Sequence, residues 1–301
     1  MEPITRRGFL ATTLASSSIS TNCKKPESPV VDTHLHCFAG AEDSRFPYHS
    51  RAPYRPEAPA TPQHLLQCMK TGGVHYAVVV HPEPYQDDHR YLQHCLSLSP
   101  EKLRGTCLFF ADRPGSVEKM PAIIRGNRQI IAARLHAFVA NRLPPFGTAE
   151  LTNYWKVTTN LGLAMQLHFA PPYAPALESY IRDFPDTPVI IDHLGRPMQG
   201  TQREHDLVIR WSRFPNTILK ISSLASQNVD PQRPLLPIVK KITKAYGADR
   251  IIYGGGFHKD ATGKSYQQYR ERVGELLAHL PDIDQKKILG GNAFRLFRFG
   301  V

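Results

Sequence analysis

Eight short β-rich runs alternate with helical stretches along this 301-residue chain, and no other feature restricts its fold as much. The candidate strands are 30–36, 74–81, 103–109, 129–135, 162–168, 188–193, 216–221 and 250–254. Tyr76-Ala77-Val78-Val79-Val80 and Val189-Ile190-Ile191 are continuously apolar, as parallel strands buried on both faces should be. Helices are predicted at 61–71, 86–98, 115–126, 148–160, 174–184, 201–213, 234–246 and 264–280. The first carries signals at both ends: Thr61 as N-cap, Pro62 at the first position, and Gly72-Gly73 as the stop. Eight such units predict an α/β fold, a single-domain (β/α)8 TIM barrel. A doubly wound open sheet is the competing arrangement, but no Gly-x-Gly-x-x-Gly loop follows the first strand. Residues 38–60, rich in Pro, Tyr and Arg, make a long first βα loop placed to cover the barrel mouth.

The amino terminus is a separate object. Arg6-Arg7 followed by the mildly apolar, small-residue Ala11-Thr12-Thr13-Leu14-Ala15 resembles a twin-arginine export signal. Residues 1–29 therefore read as signal and linker, and 30–301 as the barrel. The expected location is the periplasm, with lipid attachment at Cys23 as the minor alternative. No apolar run reaches the roughly 18 residues a membrane span requires. The formal net charge of +11 falls to about +10 without residues 1–23. It favours an anionic small molecule; the basic residues are too scattered for a nucleic-acid surface. A homo-oligomer is compatible with the sequence. Cys37, Cys68, Cys95 and Cys107 form no Cys-x-x-Cys pair and read as buried free thiols.

In such a barrel, chemistry gathers at the carboxyl ends of the strands. Those ends hold His34 and His36, then His81, Arg134 with His136, His168, His193, and Lys220 with Ser222. Residues i and i+2 of a strand project to one side, so His34 and His36 are placed to share a metal ion. For His81 and His136 a structural role is the simpler reading.

Val31-Asp32-Thr33-His34-Leu35-His36, Gln166-Leu167-His168, Asp192-His193-Leu194-Gly195-Arg196-Pro197 and Gly291-Asn292-Ala293-Phe294-Arg295-Leu296-Phe297 resemble the amidohydrolase superfamily. The branch most similar is the amidohydrolase-2 family with its lactonases. That resemblance implies zinc, or manganese, held by His34, His36 and His168. It implies His193 at the substrate carbonyl, and Arg134 and Arg196 on a substrate carboxylate. In place of the family's strand-8 aspartate, a metal ligand and general base, stands Gly256. His258, Asp260 or His193 are the candidate replacements for that base. The expectation is a metal-dependent hydrolase of a lactone or related cyclic ester bearing carboxylates. The alternatives are a ligand-binding barrel without catalysis and a decarboxylase of the same family.

Overall fold

The computed structural model describes residues 28–224 and 234–300, so the signal-like segment and Cys23 lie outside the described residues. Eight parallel strands form one sheet in chain order: β1 (Val31–Leu35), β2 (Tyr76–Val80), β3 (Leu103–Leu108), β4 (Ile130–Ala137), β5 (Ala164–Phe169), β6 (Val189–Ile191), β7 (Thr217–Ile221) and β8 (Ile251–Tyr253). Between them run α1 (Pro62–Gly72), α2 (Arg90–Ser97), α3 (Met120–Gly126), α4 (Ala149–Asn160), α5 (Ala174–Asp183), α6 (Gln202–Arg210) and α7 (Leu235–Tyr246), with α8 (Gly263–Leu277) after β8. This is the (β/α)8 barrel predicted by the alternation. The ends obey the expected local chemistry. Thr61 accepts the His64 N–H at 3.2 Å, and Gly73 terminates α1 with a left-handed φ of +68°.

At the seam between the last and first strands, the Thr33 hydroxyl donates to the Tyr253 carbonyl at 2.7 Å, and the Gly255 N–H donates to Asp32 at 2.6 Å. Two hydrophobic layers result. The larger lies between the strands and the helices and includes Leu65, Trp155, Leu177, Trp211 and Val239. The smaller fills the lower barrel with Val31, Val78, Ala132, Ala164, Ile190 and Ile252, and is closed from below by Phe297 and Phe299. Above it the interior turns polar, and the site begins there.

Among the described residues no helix is long and apolar enough to cross a membrane, and Cys37, Cys68, Cys95 and Cys107 are buried and free.

Candidate active site

The interior polar layer is organised by Asp192, whose side chain is shut off from solvent at the end of β6. Its carboxylate accepts from Arg134 of β4 at 3.1 Å and from the Gln166 amide of β5 at 2.9 and 3.0 Å. Lys220 of β7 lies 3.1 Å from it and donates to the Thr33 carbonyl at 3.0 Å. His34 Nδ1 is 3.4 Å from the same carboxylate. Burial by itself would raise the Asp192 pKa. The Lys220 and Arg134 cations, with a hydrogen bond from His34, outweigh burial and hold the carboxyl well below its ordinary range. Burial lowers the Lys220 ammonium, against the pull of Asp192.

The histidines rise from this floor. The register of β1 against β2 shifts between Asp32 and Leu35, where one extra residue is accommodated. That bulge brings His34 round to the barrel interior, with His36 on the same side and Leu35 packed outward. Their rings meet edge-on with centroids 5.2 Å apart. His36 donates from Nδ1 to the Val80 carbonyl at 2.7 Å, which leaves the Nε2 lone pair free. Burial pulls His36 down to about 3 and His34, His168 and His193 well below the ordinary imidazole value. All four are neutral at neutral pH.

After β6 the chain makes a left-handed turn: His193, Leu194, Gly195 and Arg196 have φ of +56°, +59°, +68° and +53°. For a non-glycine residue that conformation costs roughly 1–2 kcal/mol. Packing maintains it. His205 of α6 is hydrogen-bonded to the Leu194 carbonyl at 2.7 Å, and Leu194 is fully buried. A Cβ on Gly195 would lie 2.5 Å from Val208, so only glycine lets the turn sit against α6. The turn presents two groups to the mouth. His193 Nδ1 meets the Ser222 hydroxyl at 2.8 Å, and its ring lies 4.5 Å from His34 and 5.3 Å from His168. Arg196 donates to His168 Nε2 at 2.6 Å, covers the Phe138 ring at 4.4 Å, and has an unpartnered Nε. Burial lowers its guanidinium to about 10, so it stays charged.

These groups open onto a cavity of about 700 Å³ at the carboxyl ends of the strands, where catalytic groups of such barrels reside. The long first loop contributes Phe38 and Tyr54 to its wall. His34, His36, His168, His193, Arg134 and Arg196 all line it. Arg134, however, is held by Asp192. Of the two residues past β8, His258 reaches the cavity wall from an exposed position. Asp260 is exposed, bonded to Lys259 at 2.6 Å, and outside the lining. Gly255 and Gly256 leave β8 with φ of +115° and +109°, and a Cβ on Gly256 would fall 2.8 Å from the Tyr266 ring. The strand-8 exit is therefore built around glycine.

The spacing of the first-strand pair suits one zinc, since two imidazoles on a tetrahedral ion hold their centroids about 5 Å apart. The third predicted ligand does not join them: His168 packs on His136, Phe138 and His193, and its Nε2 accepts from a guanidinium. The donor atoms that do converge, within 4.8 Å, belong to His34, Asp192 and His193. That spacing could hold a cation, although the Asp192 carboxylate already faces two cations. His34, Asp192 and His193, rather than the predicted set, are therefore the residues that would hold a divalent ion.

Two groups carry no role in the sequence reading. Glu83, just past β2, sits in the cavity wall against Arg142 at 2.8 Å and His136 at 3.2 Å. His136 Nε2 is buried without a partner. No sequence signal marks Glu83. His136 is marked only by its place at a strand end. His81 is turned away to the Gln86 carbonyl at 2.9 Å.

Comparison with known proteins agrees with this fold. The family model described as amidohydrolase matches residues 31–299. L-fucono-1,5-lactonase of Burkholderia ambifaria is 25% identical over 259 residues, or 79% of this chain and 84% of that protein. A probable 2-pyrone-4,6-dicarboxylic acid hydrolase from Acinetobacter baumannii, crystallised with citric acid bound, has a TM-score of 0.73 at 19% identity, covering 90% of this chain and 99% of that one. An amidohydrolase from Burkholderia multivorans with bound zinc has a TM-score of 0.71 at 14% identity, with coverage of 90% and 99%. At such identities the two solved structures speak for the barrel alone. A family match that runs through all eight strands and the polar layer they enclose places the chain in the amidohydrolase family.

Proposed function

We propose that this protein hydrolyses a lactone or related cyclic ester that carries a carboxylate. The observation that carries the reading is Arg196. Its side chain bonds His168 and Gln199 and covers Phe138, and among the described residues it forms no ion pair with a carboxylate. A charged guanidinium at the cavity wall with no carboxylate of its own suits a substrate carboxylate. Anchoring there brings the ester to the neutral imidazoles that line the cavity. Beneath them, the Lys220 ammonium and the Arg134 guanidinium favour the negative charge that develops on the carbonyl oxygen. The family match and the lactonase relative support the same reaction class. A divalent ion held by His34, Asp192 and His193 would polarise the ester carbonyl.

The test is turnover of matched lactones with and without a carboxylate, followed by proton release. A charge-assisted hydrogen bond is worth about 1.5–3 kcal/mol, so Arg196→Met should lower kcat/KM for carboxylated lactones roughly 10- to 150-fold and leave neutral ones nearly unchanged. Equal losses on both, or no turnover by the unaltered protein, would refute the proposal. A non-catalytic binding barrel is the second reading, favoured by the missing carboxylate at Gly256. Thermal stabilisation by carboxylated lactones without product would decide for it.

A further inference from the structure

Lactone opening needs a group to take a proton from water, and Gly256 leaves the end of β8 without one. We infer that His136, with Glu83 behind it, is the general base of this chain. The inference rests on the lactonase reading above. Glu83 is the one carboxylate in the wall of the cavity among the described residues. Its Oε1 lies 3.2 Å from His136 Nδ1 and is anchored from the other side by Arg142 at 2.8 Å. A carboxylate at that distance fixes the proton on Nδ1 and leaves the lone pair on Nε2. That Nε2 is buried and has no hydrogen-bond partner, which is a costly state for a polar atom inside a protein. It lies in a ring that lines the cavity and meets His168 edge-on at 4.8 Å, next to the guanidinium of Arg196. Nε2 is enclosed as the ring stands, so the dyad works through a small turn of the imidazole that lets a cavity water reach it and be oriented.

The rival bases lack this arrangement. His193 is backed by a hydroxyl, that of Ser222; His258 is exposed; Asp260 is paired with Lys259 outside the cavity. Carboxylate, imidazole and reacting oxygen in line is the usual architecture of an activated nucleophile. In the step, His136 Nε2 accepts one proton from water while the water oxygen bonds to the lactone carbonyl carbon and the carbonyl electron pair moves to oxygen. When that pair returns, the bond between the carbonyl carbon and the ring oxygen breaks. The imidazolium of His136 gives its proton to the departing oxygen. One lactone and one water become one hydroxy acid, and His136 ends neutral as it began.

The experiment compares the unaltered protein with His136→Ala, His136→Gln and Glu83→Gln on the carboxylated lactone that it turns over fastest. Thermal melts establish that each variant is folded. We expect kcat of the His136 variants to fall by about 10²–10⁴-fold with little change in KM. Glu83→Gln should fall by less, because the amide keeps the ring in place without the charge. Added imidazole should restore part of the rate to His136→Ala, which a merely structural role for His136 would not allow. If His136→Ala does not fold, His136→Gln carries the test. If the unaltered protein is active and folded His136 variants keep its rate, or imidazole restores nothing to a folded His136→Ala, the dyad is refuted and the lactonase reading survives. If the unaltered protein opens no lactone, both fall.

Discussion

Replacing Asp192 by Asn tests whether the polar layer inside the barrel is held by charge. The substitution keeps the shape of the side chain and removes its charge. The guanidinium of Arg134 and the ammonium of Lys220, each 3.1 Å away, are then left buried without an anion. Removing one partner of a buried pair costs about 3–5 kcal/mol, because the orphaned charge stays in a medium of low dielectric. For a domain of this size each kcal/mol lowers Tm by about 2 °C, so Asp192→Asn should melt roughly 6–10 °C below the unaltered protein. The assay is thermal unfolding by circular dichroism at pH 7, with guanidinium denaturation as a check on ΔG. The double variant Asp192→Asn, Lys220→Met removes one of the stranded cations and should regain a substantial part of the loss, since the two sites are in contact and cannot be additive. A folded carboxyl held below its unfolded pKa contributes stability that is complete above the unfolded value and lost as pH falls through the folded one. The penalty of Asp192→Asn should therefore be full at neutral pH and shrink only in strong acid. A melt within about 2 °C of the unaltered protein, or a double variant as unstable as the two single losses added together, would refute the reasoning.

Two further outcomes follow from the seam between β8 and β1. Gly256→Asp and Gly256→Ala should destabilise by similar amounts, about 1–3 kcal/mol, because both the left-handed φ of +109° and the contact with the Tyr266 ring penalise the Cβ rather than the carboxylate. Denaturation midpoints of the two variants check this, and a harmless Gly256→Asp would show that the exit of β8 can be rebuilt around a side chain. Burial pushes the Asp32 carboxyl from an ordinary 3.8 up to about 6, against hydrogen bonds from Tyr266 and from the His34 and Gly255 amides. A raised acid favours the fold while protonated, so its contribution is present below about 3.8 and is lost as pH rises through 6; the span is worth about 3 kcal/mol. Asp32→Asn should flatten the stability profile between those two pH values, and identical slopes with and without the substitution would rule it out.

The barrel was legible because its rules are local. Parallel strands covered on both faces must be apolar throughout, and runs such as Val189-Ile190-Ile191 announce this without knowledge of their neighbours. Thr61 and Gly73 mark the ends of α1 by capping chemistry confined to one turn. The site was legible only in part, and each failure has a nonlocal cause. Simple alternation from Val31 would send His34 to the outer face; the bulge in β1 reverses this, and no residue type in the sequence announces it. Arg134 looks free for a substrate until the barrel brings Asp192 to it from two strands away. Asp260 looks available until two successive positive-φ glycines carry the chain out past the rim. In the sequence, Arg134, Gln166, Asp192 and Lys220 are polar residues scattered over four largely apolar strands and their ends. The pairing of neighbouring strands brings them together, where a single carboxylate joins them, and that network exists only once the strands have paired.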